Sequence, residues 1–293
     1  MNIDARNRAA RLACWSGPVD PQPLAGGITN TNFVVEDKGS RFVVRIGDDI
    51  PVHGVMRFNE LAAAKAAEAA GISPPITHHE PGALVMRHVE GRTLAPEDIA
   101  QRPMLERILP LIAQVHREMP KHLQGPALIF WVFHVVRSYA RFLNDHGSAH
   151  TSKLPRLLAV AEELERAVGP IEVVFGHNDL LAANFIDAGD RLWLIDWDYA
   201  GFNSPLFDLA NLASNNALTP EDESWMLEST FGRADDDLLS RYHAMTCASL
   251  LRETMWSMVS EITSALDFDY AAYTADYLNR FEAALAAFHN RRS

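Results

Sequence analysis

The chain has 293 residues, 48% of them hydrophobic and 22% charged. That suffices for one large or two medium-sized domains with proper cores, and excludes a disordered, collagenous or coiled-coil chain. The net charge of −12 disfavours nucleic acid or an anionic membrane as the main partner and suits a cationic small molecule.

Two cysteines, Cys14 and Cys247, cannot form a disulfide framework and point to a reducing compartment. The first fifteen residues lack the apolar run of a signal peptide, and nowhere do about 18 apolar residues follow one another. A soluble, cytoplasmic protein without stable membrane association is expected.

No internal repeat or low-complexity segment interrupts the chain, apart from an alanine-rich stretch at 61–70. Residues 1–16 read as a short helix with arginines on its polar side. From Leu24 the pattern turns to β. A glycine pair, Gly26–Gly27, precedes two runs rich in β-branched and aromatic residues, Val34–Val35 and Phe42–Ile46, with turn chemistry at Asp37–Ser40 between them. FNELAAAKAAEAAG is strongly helix-forming and closes on Gly71. Two short strands follow around Pro81–Gly82. Residues 97–168 are expected to be helical, because Leu105, Ile108, Leu109, Ile112 and Val115 recur at three- and four-residue spacing. A compact β segment spans 172–196, and residues 205–290 are again mostly helical.

Charge divides along the same line. Residues 1–90 hold nine Lys/Arg and ten Asp/Glu, whereas 91–293 hold 17 and 28, so nearly all the acidity lies in the helical part. The expected organisation is an α+β chain with a small β-rich lobe, 1–90, followed by a larger α-rich lobe, 91–293.

The most informative stretch is VVFGHNDLLAANFIDAGDRLWLIDWDYAG, residues 173–201. Asp179 and Asn184 stand five apart in a loop after an expected strand, Val173–Phe175. A second expected strand, Arg191–Ile195, ends at Asp196, so that two carboxylates and a carboxamide converge at the ends of what reads as a hairpin. Hard oxygen ligands of this kind suit Mg²⁺, which takes one or two carboxylates together with substrate phosphates. A carboxylate left off the metal can accept a proton from an incoming hydroxyl. Phosphoryl transfer needs this combination of base, metal ligands and separate phosphate cradle.

H-N-D-x-x-x-x-N followed by I-D-W-D-Y-A-G resembles the choline/ethanolamine kinase family, within the larger aminoglycoside-phosphotransferase and protein-kinase-like group. Asn178 narrows the resemblance, because aminoglycoside kinases usually carry H-G-D at this point. The resemblance covers roughly residues 20–285 and implies a two-lobed protein-kinase-like fold with ATP between the lobes. It implies Asp179 as catalytic base, and Asn184 and Asp196 as Mg²⁺ ligands. His177, in the same loop, orders it through hydrogen bonds more than it does acid–base work. In the small lobe Gly26, Gly27, Thr29 and Asn30 lie where a turn covers the phosphates with backbone N–H groups. Arg45 takes the position of the phosphate-facing lysine of protein kinases, Glu60 is its ion-pair partner, and Met86–Val89 form the hinge that reads adenine. Asp208, in FDLANLASN, is a structural residue that ties down the catalytic loop.

On the acceptor side the resemblance puts Trp256 and Tyr273 on aromatic positions that enclose a trimethylammonium group, through the attraction of a cation for ring faces. Glu253 stands where eukaryotic members have a tryptophan, and Asn215 where they have a glutamate. This exchange leaves open a relocated counter-charge, a primary-amine substrate or another cationic alcohol. Asp198, two residues after Asp196, is expected to alternate away from it on a strand and to face the substrate pocket. The expected reaction is transfer of the γ-phosphate of ATP to a small cationic alcohol, choline first and ethanolamine second. Aminoglycoside and thiamine kinases of the same fold are the alternatives, followed by an inactive kinase-like binding protein. The histidines include the pair His78–His79, but no second cluster has zinc spacing.

Overall fold

The computed structural model describes residues 3–24, 30–264, 266 and 268–292. Helix α1 (Ile3–Ala10) precedes β1 (Gln22–Leu24), β2 (Thr31–Asp37) and β3 (Ser40–Ile46). Then come α2 (Arg57–Ala69), β4 (Ile76–Glu80) and β5 (Ala83–Arg87). The five strands form one antiparallel sheet in the order β1-β2-β3-β5-β4. The β2–β3 hairpin closes where expected: Asp37 pairs with Ser40, and Lys38 and Gly39 both have positive φ, 49° and 71°. That backbone matches the right-handed twist of the flanking strands.

After β6 (Arg92–Thr93) the chain becomes helical through α3 (Pro96–Ile99), α4 (Arg102–His122), α5 (Val132–Asp145) and α6 (Leu154–Val168). Four short strands follow: β7 (Val174–Gly176), β8 (Phe185–Asp187), β9 (Leu192–Leu194) and β10 (Gly201–Asn203). The chain ends in α7 (Pro205–Asn216), α8 (Pro220–Phe231), α9 (Asp236–Thr263) and α10 (Tyr270–Arg292). The last-named group starts crisply: Ser204, Thr219 and Asp235 each accept a backbone N–H in the first turn, and proline stands at the start of α7 and α8. The periodic apolar positions of α4 (Leu105, Ile108, Leu109, Ile112 and Val115) are all buried. Helix α9 is buried on most of its circumference and packs against α5, α6, α7 and α10.

One expectation fails in the β segment. The strand after Glu172 does not pair with the strand that leads to Asp196. β7 pairs with β10, whereas β9 forms a hairpin with β8, to which β6 adds a third strand. The turn 187–191 explains this: Asp187 Oδ1 accepts the N–H of Gly189 at 2.9 Å, and Gly189 has φ of +89°. A three-residue strand, Phe-Ile-Asp, is too short to leave a periodic signal beside the longer apolar runs.

Burial separates the two faces of the five-stranded sheet. Ala5, Ala9 and Leu12 cover one face over Phe33, Val35, Val44 and Val85 as a small core of their own. The other face, through Leu84, Met86 and the alanines of α2, joins the large core of the helical lobe. The apolar packing therefore continues across residue 90, where the secondary structure changes.

Candidate active site

The loop 177–184 is fixed from below by a buried carboxylate. Asp208, in the first turn of α7, accepts the backbone N–H groups of His177 and Asn178 at 3.1 and 2.8 Å and pairs with His116 Nε2 at 2.8 Å. Burial alone would raise its pKa, but the hydrogen bond and charge of His116 and the N–H donors hold it below the ordinary value. Gly176 leaves room for this anchor, since a Cβ there would come within 2.9 Å of Asp208 Oδ2.

Asn178 has φ of +66°, a conformation that asparagine tolerates and glycine prefers. Its amide donates to Tyr199 O and Gly201 O at 3.0 and 3.1 Å, and its Oδ1 accepts from Asn203. The side chain thus links the loop to β10, a link that glycine cannot supply. His177 is fully buried. Its Nε2–H donates to Ile195 O at 2.9 Å, and its Nδ1 accepts the N–H of Asp179 at 3.3 Å. Burial lowers its pKa, so the neutral ring serves as a brace between the Asp179 and Asp196 segments.

Asp179 is half-buried. Burial, with Glu253, Asp196 and Asp198 nearby, pushes its carboxyl up to about 7 against the opposing pull of Arg252. Asn184 donates its side-chain N–H to Asp179 O at 2.8 Å, and its own carbonyl accepts the N–H of Ile195 at 3.0 Å. These bonds bring Asn184 alongside Asp196. The amide proton is used within the loop, which leaves Asn184 Oδ1 for a cation. Asp196, at φ +69°, meets Arg45 Nη2 at 3.0 Å. Among the described residues no three His, Cys, Asp or Glu side chains gather as a metal cage. Two protein oxygens, from Asn184 and Asp196, fit a hard cation completed by phosphates and water.

A cavity of about 280 Å³ lies between the lobes. Arg45, Met86 and Val89 line it from the small lobe, and Asn184 and Asp196 from the large one. Arg45 is not the exposed strand residue that position alone allows. It is buried, with Glu60 Oε1 at 3.3 Å from its Nε and Asp196 and Asp198 at 3.0 and 3.2 Å from Nη2. Burial works to lower its pKa, yet Asp196, Glu60 and Asp198 together hold it above the ordinary value.

Arg57, which the sequence reading missed, joins Glu60 and Asp198 at 2.6 and 2.8 Å. Its signal was available: it stands three residues before Glu60, one helical turn away. Asp198 requires a correction. It lies in a turn instead of a strand, and the small lobe holds its carboxylate through Arg45, Arg57 and Asn30, whose Nδ2 donates at 3.0 Å. Asn30 thus turns toward the large lobe. Gly26, Gly27 and Thr29 lie outside the described residues.

On the acceptor side Trp256, Tyr273 and Glu253 do come together. Trp256 and Tyr273 have ring centroids 6.3 Å apart, and the Tyr273 hydroxyl donates to Glu253 Oε1 at 2.9 Å. Between this group and Asp179 sits Arg252, also missed from the sequence. It is buried and pairs with Glu253 Oε2 at 2.9 Å and Asp179 Oδ1 at 3.5 Å. Asn215, half-buried near the end of α7, has no hydrogen bond to Asp179 or Glu253 among the described residues. Its neighbours Asn211 and Asn216 instead hold Leu180, through its N–H at 2.6 Å and its carbonyl at 3.2 Å.

Comparison with known proteins identifies the family. A family profile described as choline/ethanolamine kinase matches residues 22–229. Protein LicA of Haemophilus influenzae is 28% identical over 214 residues, an alignment that covers 71% of this chain and 62% of LicA. Ethanolamine kinase 2 of Mus musculus is 27% identical over 286 residues, or 87% of this chain and 73% of that one. A crystal structure of a choline/ethanolamine kinase family protein from Mesorhizobium loti superposes with a TM-score of 0.79 at 25% identity, covering 98% and 96% of the two chains. The expected two-lobed, kinase-like α+β fold is borne out.

Proposed function

The chain belongs to the choline/ethanolamine kinase family, and from that premise we propose that it transfers the γ-phosphoryl group of ATP to the hydroxyl of a small cationic alcohol. The observation that carries this reading is the convergence of Asp179, Asn184 and Asp196 on one braced loop and hairpin, beside an interlobe cavity that Arg45 enters from the other side.

In the proposed reaction Asp179 orients the acceptor hydroxyl and takes its proton as the oxygen bonds to the γ-phosphorus; the bond to the β-phosphate oxygen breaks and ADP leaves. A carboxyl near 7 is matched to this work at neutral pH. Arg45 offers a guanidinium to the phosphates, held in place by Glu60. Met86 and Val89 line the adenine end of the cavity. Asn184 and Asp196 would hold Mg²⁺, which supplies charge neutralisation on the phosphates when bound. Trp256, Tyr273 and Glu253 form the acceptor end of the site.

The test is ATP consumption with a panel of alcohols. Turnover of choline or ethanolamine is expected, and turnover of kanamycin or thiamine alone would overturn the acceptor assignment. Asp179→Asn is expected to lower kcat by about 10²- to 10⁴-fold while nucleotide binding persists. A variant as active as the parent would remove Asp179 from the mechanism.

A further inference from the structure

A quaternary ammonium has no N–H and is held by open aromatic faces. Three rings of this region are already engaged. Trp256 is 5% exposed, with its ring packed against His53 at 5.4 Å and Tyr270 at 6.0 Å and its N–H given to Tyr199 Oη at 2.9 Å. The rings of Tyr199 and Phe130 lie 5.1 and 5.7 Å from the Arg252 guanidinium carbon, so the chain's own cation sits where an acceptor's would stack. Arg252 is pinned there by Glu253 and Asp179, and its Nη2 donates to Asn178 O at 3.4 Å. Beside the half-buried Tyr273, what remains accessible is carboxylate: the side chains of Glu253 and Asp179 are 16% and 17% exposed. One guanidinium against two carboxylates leaves one net negative charge once a bound cation keeps Asp179 ionised, enough for one cationic acceptor.

We propose that Arg252 is a specificity-determining residue: by filling the aromatic seat it forces the acceptor's ammonium to bind through N–H donors to Glu253, and so selects a primary ammonium alcohol over a quaternary one. This rests on the phosphotransferase reading above and reverses the order expected from the sequence, choline before ethanolamine. Each methyl added to the nitrogen removes one of three donors and offers an apolar group to a carboxylate, with the Tyr199 and Phe130 faces already taken by Arg252.

The experiment is steady-state kinetics with ethanolamine, its N-methyl and N,N-dimethyl derivatives, and choline. In the parent enzyme kcat/KM is expected to fall along the series, by about tenfold or more from first to last, the scale of one lost hydrogen bond to a charged group. Arg252→Met keeps the apolar stem and uncovers the rings; it is expected to shift the ethanolamine-to-choline ratio toward choline by about tenfold. Because Arg252→Met removes a buried charge, its folding is checked by thermal melting. Glu253→Gln provides a second variant, expected to raise KM for ethanolamine more than for choline. Equal or better use of choline by the parent overturns the proposal, as does an unchanged ratio in a folded Arg252→Met. Absence of turnover with every alcohol overturns the phosphotransferase reading and this one with it, whereas turnover without selectivity overturns this one alone.

Discussion

Asn178 shows how much a single residue carries in this site. Its left-handed backbone turns the chain so that Asp179 follows, and its amide ties the loop to β10. Asn178→Ala keeps neither advantage: it lacks the polar side chain that eases the left-handed backbone, part of a strain of about 1–2 kcal/mol, and the lost hydrogen bonds cost about 1 kcal/mol each. Asn178→Gly relieves the strain and loses only the bonds. Both variants are expected to melt below the parent, with alanine lower than glycine, in thermal denaturation; the reverse order would remove strain from the account. At this scale the sequence was most informative. Spacing together with the family resemblance singled out Asp179, Asn184 and Asp196, because a loop that bears chemistry keeps fixed intervals. Arg252 was not legible, since a charged residue on a long helix ordinarily means a solvated face and only tertiary packing shows it buried; Arg57 offered only its spacing from Glu60.

At the scale of elements, the segment between β3 and α2 binds the two lobes through a histidine. His53 is buried, with Nδ1 3.2 Å from Tyr139 Oη on α5 and Nε2 3.4 Å from Ser260 Oγ on α9. Ser260 gives its proton to Trp256 O, so its oxygen is left to accept from Nε2–H, and Nδ1 accepts from Tyr139. Burial, reinforced by the charge of Arg252, lowers the His53 pKa to about 4. Below the unfolded value of about 6.5 the unfolded chain binds a proton that the folded chain refuses. Stability is therefore complete above that pH and falls as the pH drops toward 4, by about 2–3 kcal/mol in all. His53→Gln is expected to flatten the loss between pH 6.5 and 4.5 in denaturant titrations, and an identical slope would exclude His53 as its source. His243, lowered likewise to about 4 by burial and by Arg291, should leave a residual slope. Helix periodicity and cap residues made most elements legible in the sequence. The pairing of β7 with β10 was not, because three-residue strands carry too few side chains to encode their partners.

Across the whole molecule the charge of −12 lies almost entirely in residues 91–293. A negative lobe raises the local concentration of a cationic acceptor, and salt screens that field over about 10 Å at 0.1 M. The value of kcat/KM for a cationic alcohol is expected to fall as sodium chloride rises from 20 to 300 mM (about a threefold effect), with kcat little changed. A flat salt profile would mean that the acceptor's ammonium feels only the groups it touches. The division into lobes was legible from composition and period. The continuity of the core across them was not, because it depends on which face of the sheet each helix covers.

That continuity assigns α2 a mechanical allegiance. Although it falls within the first ninety residues, its first turns are bolted to the helical lobe. Asn59 donates to Ala200 O at 2.8 Å and accepts from Leu128 N at 3.0 Å, and Arg57 holds Asp198. Its far end is held as firmly, where Gln114 donates to Ala70 O at 2.7 Å and Leu194 N donates to Ile72 O at 3.1 Å. The sheet, by contrast, carries α1 on its back with a small core of its own. Glu60 stays with the helical lobe, while Arg45 travels with β3. The Arg45 guanidinium, which meets Glu60, Asp196 and Asp198 at 3.3, 3.0 and 3.2 Å, is therefore the charged clasp that fastens the sheet to the rest of the molecule.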